Sequence, residues 1–225
     1  MATRPELARP TLIVVAGRPG SGKTTLAHAL ARAVRCPVIS RDEIKEGFVN
    51  ATGEPGEPGD AIQRHVSDAF FDVVKLLLHH RVTIVAEAAF QHAVWAPRLE
   101  PLMENAAVRM VLCDVDPELA RTRHIERGLA DPARERFHDD RGVRISRSGV
   151  DWRALPIGSW DPPRLDVPTL TVDTSEGYRP GLEEIVAFAR SGAARAACEA
   201  SGFEAGRPHY LPRVCAARLA SEIVR

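Results

Sequence analysis

The sequence predicts an α/β protein: a parallel β-sheet flanked by helices. Three observations carry this expectation. Residues 12–16 read Leu-Ile-Val-Val-Ala and run directly into a glycine-rich turn and a helix-like stretch. Further short apolar runs, at 38–39, 82–86, 108–113 and 169–172, alternate with stretches of helical period. Strands separated by helices need crossover connections, and right-handed crossovers produce parallel sheets. The chain has 225 residues, enough for one such domain with a sizeable core.

Composition narrows the class. Lys plus Arg and Asp plus Glu each number 30, so the formal net charge is zero. Bulk charge therefore gives no pull toward nucleic acid or a membrane surface, although a local basic patch stays open. Cys36, Cys113, Cys198 and Cys215 are widely spaced and form no C-x-x-C. They read as reduced thiols of a cytoplasmic protein. The opening residues carry no signal-peptide core, and no apolar run approaches the roughly 20 residues of a membrane span.

The elements follow in order. Residues 1–10 are polar and Pro-bearing and read as a loose leader. The first strand covers 11–16 and the first helix 23–35, where Leu26, Ala29, Leu30 and Ala33 recur at helical spacing. Pro37 precedes a short second strand at 38–39. Ser40 or Asp42 caps a helix over 43–48. Residues 50–59, NATGEPGEPG, form a loop that suits either a substrate flap or a plain connector. A long helix over 60–79 buries a face carrying Val66, Phe70, Val73 and Leu77. Strand three covers 82–86. A helix covers 93–105, with ends blurred by Pro97 and Pro101. Strand four covers 108–113, and a helix runs over 117–127 with Gly128 as its stop. Residues 131–153 carry six arginines and no long apolar period, an excursion from the core. Strand five covers 169–172, followed by a helix over 181–190. The chain thus divides into a main domain, residues 1–190, with an Arg-rich lid at about 129–153, and an Ala-rich extension, 191–225. The extension reads as a helix or tail, with a last helix near 214–224.

The chemistry begins with Gly17-Arg18-Pro19-Gly20-Ser21-Gly22-Lys23-Thr24, the pattern G-x-x-x-x-G-K-[ST] between strand and helix. A glycine-rich turn points successive backbone N–H groups at phosphate oxygens, and the helix behind it adds its positive end. Lys23 reaches the β- and γ-phosphates, Thr24 offers its hydroxyl to Mg²⁺, and Thr25 continues the cradle. The expected ligand is ATP, or GTP, with Mg²⁺.

In an open parallel sheet ligands sit beyond the carboxyl ends of the strands. After strand two comes Ser40-Arg41-Asp42-Glu43-Ile44-Lys45. Asp42 suits a general base that orients an acceptor hydroxyl and takes its proton, or else merely caps the next helix. Arg41 and Lys45 suit an anionic substrate or a solvated helix face. Glu87 closes strand three, where a carboxylate holds a Mg²⁺-bound water or serves as the base itself. Either Asp42 or Glu87 complements Thr24 at the metal. Phe90 and Gln91 follow as candidate acceptor-pocket residues, whereas Trp95 reads as core. Arg123 and Arg127, four apart on one helix, are candidates to close over the β,γ-phosphates. The histidines show no H-E-x-x-H spacing, so no metal beyond nucleotide-bound Mg²⁺ is expected.

Taken together, GRPGSGKTT, SRDEIK, VAEAAF and the DPELARTRHIERG helix resemble the P-loop kinase group that includes polynucleotide 5′-hydroxyl kinase domains, chloramphenicol phosphotransferase and the zeta-toxin kinases. The resemblance spans about residues 11–190. It implies a three-layer fold with strand order 2-3-1-4-5 and the S-x-D aspartate, here Asp42, as the base. It places the group's lid arginine on Arg123 or Arg127. Lys45 stands where the polynucleotide kinases have arginine, which disfavours a nucleic-acid acceptor. The function expected is ATP-dependent phosphoryl transfer to a hydroxyl of a small molecule, such as an antibiotic or nucleoside. A polynucleotide 5′-hydroxyl kinase and a nucleotide-gated regulatory ATPase are the alternatives.

Overall fold

A computed structural model describes residues 9–53, 60–138 and 141–200. Residues 1–8 of the expected leader, residues 54–59 of the expected 50–59 loop and the expected helix near 214–224 fall outside the described residues, and a helix runs through Thr52, past the expected start of that loop.

The central strand β1 (Thr11–Gly17) is buried along its whole length. It pairs in parallel with β3 (Ile84–Ala88) on one side and β4 (Ala107–Asp114) on the other. β2 (Val38–Ser40) lies outside β3, and β5 (Thr169–Asp173) outside β4. The order is β2-β3-β1-β4-β5, the order that the resemblance implies. Alternate residues of β1 serve opposite layers, as a two-residue period requires. Leu12, Val14 and Ala16 join Phe70, Phe71, Val74, Trp95 and Leu99 of α3 (Asp60–His79) and α4 (His92–Leu99). Ile13 and Val15 join Leu26, Leu30 and Ile185 of α1 (Lys23–Val34) and α7 (Leu182–Ala200).

Several boundaries differ from expectation for identifiable reasons. β3 begins two residues later than 82, following a turn in which Arg81 takes a left-handed φ of 62°. The shift carries β3 through Ala88, so Glu87 lies within the strand, level with Val15 and Ser40. α2 (Arg41–Thr52) starts immediately after β2, and its cap is Ser40, whose hydroxyl accepts from the Glu43 N–H at 3.5 Å. α4 stops at Leu99 and passes into a 3₁₀ turn, Glu100–Glu104, with Pro101 near its start. α5 (Pro117–Ala130) runs through Gly128. That glycine is no stop: a Cβ there would lie 2.5 Å from the Val143 methyl, so it admits the close approach of α6 (Arg141–Arg147). α7 continues to Ala200, so position 191 lies inside a helix.

The Arg-rich stretch folds against α5. It comprises a 3₁₀ turn, Pro132–Arg136, then α6 and a second turn, Trp152–Ala154. Val143, Trp152 and Ile145 form a small apolar cluster with Ile125 of α5. Arg121 fastens the excursion, its guanidinium donating to the carbonyls of Trp152 and Leu155 (2.5 Å to the latter).

Candidate active site

The loop 17–22 leaves the end of β1 and turns tightly, with the Ser21 N–H donating to the Arg18 carbonyl at 3.1 Å. Two positions require glycine. Gly20 has φ 81°, and a Cβ there would fall 1.9 Å from the Ala120 carbonyl oxygen, so the loop rests on the α5 backbone. Gly22 caps α1 at φ 77°. Thr24 and Thr25 follow in the first turn of α1. Thr174, just beyond β5, donates to the carbonyls of Ser21 (2.7 Å) and Asp114 (3.0 Å). It supports the loop from the carboxyl end of β5, a role absent from the expected site.

Behind the loop Lys23 is buried, and its Nζ lies 3.3 Å from Glu87 Oε1. The register that levels Ser40 with Glu87 lets the Ser40 hydroxyl donate to Glu87 Oε2 at 2.8 Å. Ser40 thus serves both the helix cap and the carboxylate, and Asp42 is released from capping. The Asp42 side chain keeps 43% of its surface exposed. Burial pushes its carboxyl upward, but the charges of Lys23, His138, Arg41 and Lys45 outweigh burial and hold it below the ordinary carboxylate value.

The remaining expected residues sort by position. Arg41 reaches the Gln63 side chain, lies 3.4 Å from Asp42, and sits over the Phe90 ring at 5.9 Å. Lys45 is buried on α2. Phe90 packs with Phe70, Phe71 and Trp95 in an aromatic cluster, so its ring belongs chiefly to the core. Gln91 lines a cavity of about 430 Å³ beside the phosphate loop, with Arg18, Arg121, Arg141 and Trp160 among its walls. Arg123 and Arg127, grouped by sequence, separate. Arg123 donates to the Thr174 carbonyl at 3.0 Å and to that of Ser175. Arg127 Nη2 lies 3.4 Å from His124 Nδ1; burial and then Arg134 lower its pKa, while the charges of Asp42, Glu87 and Glu46 raise it.

Sequence reasoning did not single out His138 or Glu46. His138 Nε2 lies 2.9 Å from Glu46 Oε1, joining the Arg-rich excursion to α2. No helix among the described residues is long and apolar enough to cross a membrane. No cluster of three or more His, Cys, Asp or Glu residues suited to a metal occurs among the described residues. The donors near the loop are hard oxygens, the Thr24 hydroxyl and the Asp42 and Glu87 carboxylates. They suit a Mg²⁺ completed by nucleotide phosphate and water.

The chain resembles known proteins in this light. In overall structure it matches a presumed kinase from Chloroflexus aurantiacus, with a TM-score of 0.63 and 24% identity, covering 84% of this chain and 99% of the other. It also matches the Mycobacterium tuberculosis APS kinase CysC, solved with AMPPNP and APS, with a TM-score of 0.52 and 18% identity over 82% and 99% of the two chains. These likenesses establish the fold. No curated protein matches the sequence at a significant level. The model of the AAA_33 family, described as an AAA domain, matches residues 12–145, more than half of the chain. The chain therefore belongs to the AAA_33 family, and its sheet order and phosphate loop are those of a P-loop nucleoside-triphosphate-binding fold.

Proposed function

We propose that this protein is an ATP-dependent kinase that transfers the γ-phosphoryl group to a hydroxyl of a small molecule, with Asp42 as the base. The observation that carries the reading is the division of labour after β2 and β3. Ser40 caps α2, and Glu87 pairs with Lys23, so Asp42 remains as the half-exposed, ionised carboxylate beside the loop. A switch that only exchanges nucleotide has no need of such a group, whereas phosphoryl transfer needs one to orient the attacking oxygen.

The acceptor oxygen attacks the γ-phosphorus as the bond from that phosphorus to the β,γ-bridging oxygen breaks. The bond's electron pair leaves with ADP, and the acceptor's proton passes to Asp42. The transition state is loose, so the proton leaves late and a carboxylate of low pKa serves well, chiefly by orienting the hydroxyl. Loop N–H groups and Lys23 hold the phosphates. Arg127 supplies a further positive charge where charge develops. Mg²⁺, held by the Thr24 hydroxyl and completed by phosphate and water, would neutralise the phosphate oxygens when bound.

The experiment is a phosphoryl-transfer screen with labelled ATP and Mg²⁺ against nucleosides, aminoglycosides, other hydroxylated antibiotics, sugars and 5′-hydroxyl oligonucleotides. A labelled small-molecule product is expected. ATP turnover that depends on a protein partner, with no labelled product from any hydroxyl compound, would contradict the reading.

A further inference from the structure

The cavity beside the phosphate loop has a one-sided lining. Arg18 enters it from the loop, Arg121 and His124 from α5, and Arg141 from α6, while Trp160 and Ile157 line another part of its wall. Among the described residues no Asp or Glu lines it. The Arg121 guanidinium is satisfied by two carbonyl oxygens, which leave its charge unneutralised. Neither Arg18 nor Arg141 makes a hydrogen bond or ion pair among the described residues. The Trp160 indole is pinned, its Nε1 donating to the Ala89 carbonyl at 3.3 Å, so one wall is held to the end of β3. Three guanidiniums in one concave site, with no carboxylate among its described lining residues, produce a positive potential that a neutral ligand does not offset.

We infer that this cavity recognises an oxyanion carried by the acceptor: the substrate is a hydroxyl compound bearing a carboxylate or phosphate, not a neutral alcohol or a polycationic aminoglycoside. This rests on the kinase reading for the hydroxyl, but not for the anion. A volume of about 430 Å³ suits a molecule the size of a sugar acid or sugar phosphate, at the lower end for small-molecule pockets. The guanidinium fork matches both anions bidentately. The Trp160 face gives the uncharged part of the molecule an apolar surface.

The test begins with binding, so that it stands apart from catalysis. Protein saturated with AMPPNP and Mg²⁺, which fills the phosphate loop, is titrated by calorimetry with glucose 6-phosphate, glucuronate and glucose. Inorganic phosphate serves as the minimal probe. Saturable binding of phosphate and of at least one anionic sugar is expected, with glucose weaker by about 10- to 100-fold, the worth of one charge-assisted hydrogen bond. Arg141→Glu should abolish anion binding while AMPPNP affinity stays within about twofold, and Arg141→Lys should recover part of it.

In transfer assays the same panel, with uridine 5′-phosphate against uridine, should show the preference in KM. Anion binding that survives Arg141→Glu overturns the proposal, as does binding of glucose as tight as its charged partners. Loss of AMPPNP binding in Arg141→Glu would assign the arginine to the nucleotide and overturn it too. Anion binding with no transfer to any compound would overturn the kinase reading and leave the anion site standing. Transfer to neutral acceptors alone would do the reverse.

Discussion

Lys23 and Glu87 form an ion pair of 3.3 Å beneath the phosphate loop, and both side chains are almost wholly buried. The pair links the loop to β3, and the Ser40 hydroxyl on the other carboxylate oxygen links it to β2. Removing one partner of a buried pair leaves the other charge unmatched.

Glu87→Gln should therefore lower the unfolding free energy by about 3–5 kcal/mol. Nucleotide phosphates would supply Lys23 with a replacement counter-charge. Saturating AMPPNP with Mg²⁺ should then stabilise the variant more than the wild type. Chemical unfolding with and without the analogue checks this. Equal stabilisation of the two proteins would mean that Lys23 does not meet the phosphates.

Gly128 tests how the Arg-rich excursion is held. Gly128→Ala sets a methyl 2.5 Å from Val143, and overpacking of this kind costs about 1–3 kcal/mol. Val143→Ala in the same chain should recover part of the loss, because it removes the clashing methyl. A double-mutant cycle by thermal unfolding reads the coupling. Strict additivity would contradict the contact.

His138 gives stability a pH dependence. Burial lowers its pKa below the ordinary 6.5, with Arg134 and Lys45 adding to the effect and Glu46 and Asp42 opposing it. Well above pH 6.5 the imidazole is neutral in both folded and unfolded chains. As the pH falls through 6.5 the unfolded chain binds the proton first, so stability declines. His138→Asn should flatten the profile between about pH 7.5 and pH 5.5. Parallel profiles for the two proteins would contradict the assignment.

Cys113 should resist alkylation. Burial, with Glu87 adding and Lys23 opposing, pushes its thiol up to about 12. The thiolate is the reactive form, so iodoacetamide at pH 8 should label the Cys113 peptide only after unfolding. Labelling of that peptide in the folded protein, followed by mass spectrometry, would contradict its burial.

Much of this was legible in the chain because the signals are local. The strand–loop–helix at residues 11–34 needs only an apolar run, glycines and a helical period. The strand order followed from resemblance and stands. The site was less legible where it depends on register. That Ser40 faces Glu87 follows from β2 pairing with β3, while its cap on α2 follows from the helix starting at Arg41. Arg123 and Arg127 look equivalent at i,i+4, yet one donates to the carbonyls after β5 and the other lies beside His124, within the electrostatic reach of Asp42 and Glu87. Gly128 resembles a helix stop and is instead a close contact, because Val143 arrives from fifteen positions on. Thr174 was findable: it follows β5 directly, under the rule that picked out Asp42 and Glu87.

In the proposed reaction Asp42 acts on the acceptor and not on the nucleotide. The most direct measurement compares Asp42→Asn with wild type, using labelled ATP and whichever acceptor the screen identifies, alongside AMPPNP affinity. The account predicts a loss of transfer of about 10²- to 10⁴-fold, with nucleotide affinity nearly unchanged. Near-normal transfer by Asp42→Asn, or a loss of transfer fully explained by lost nucleotide binding, would contradict it.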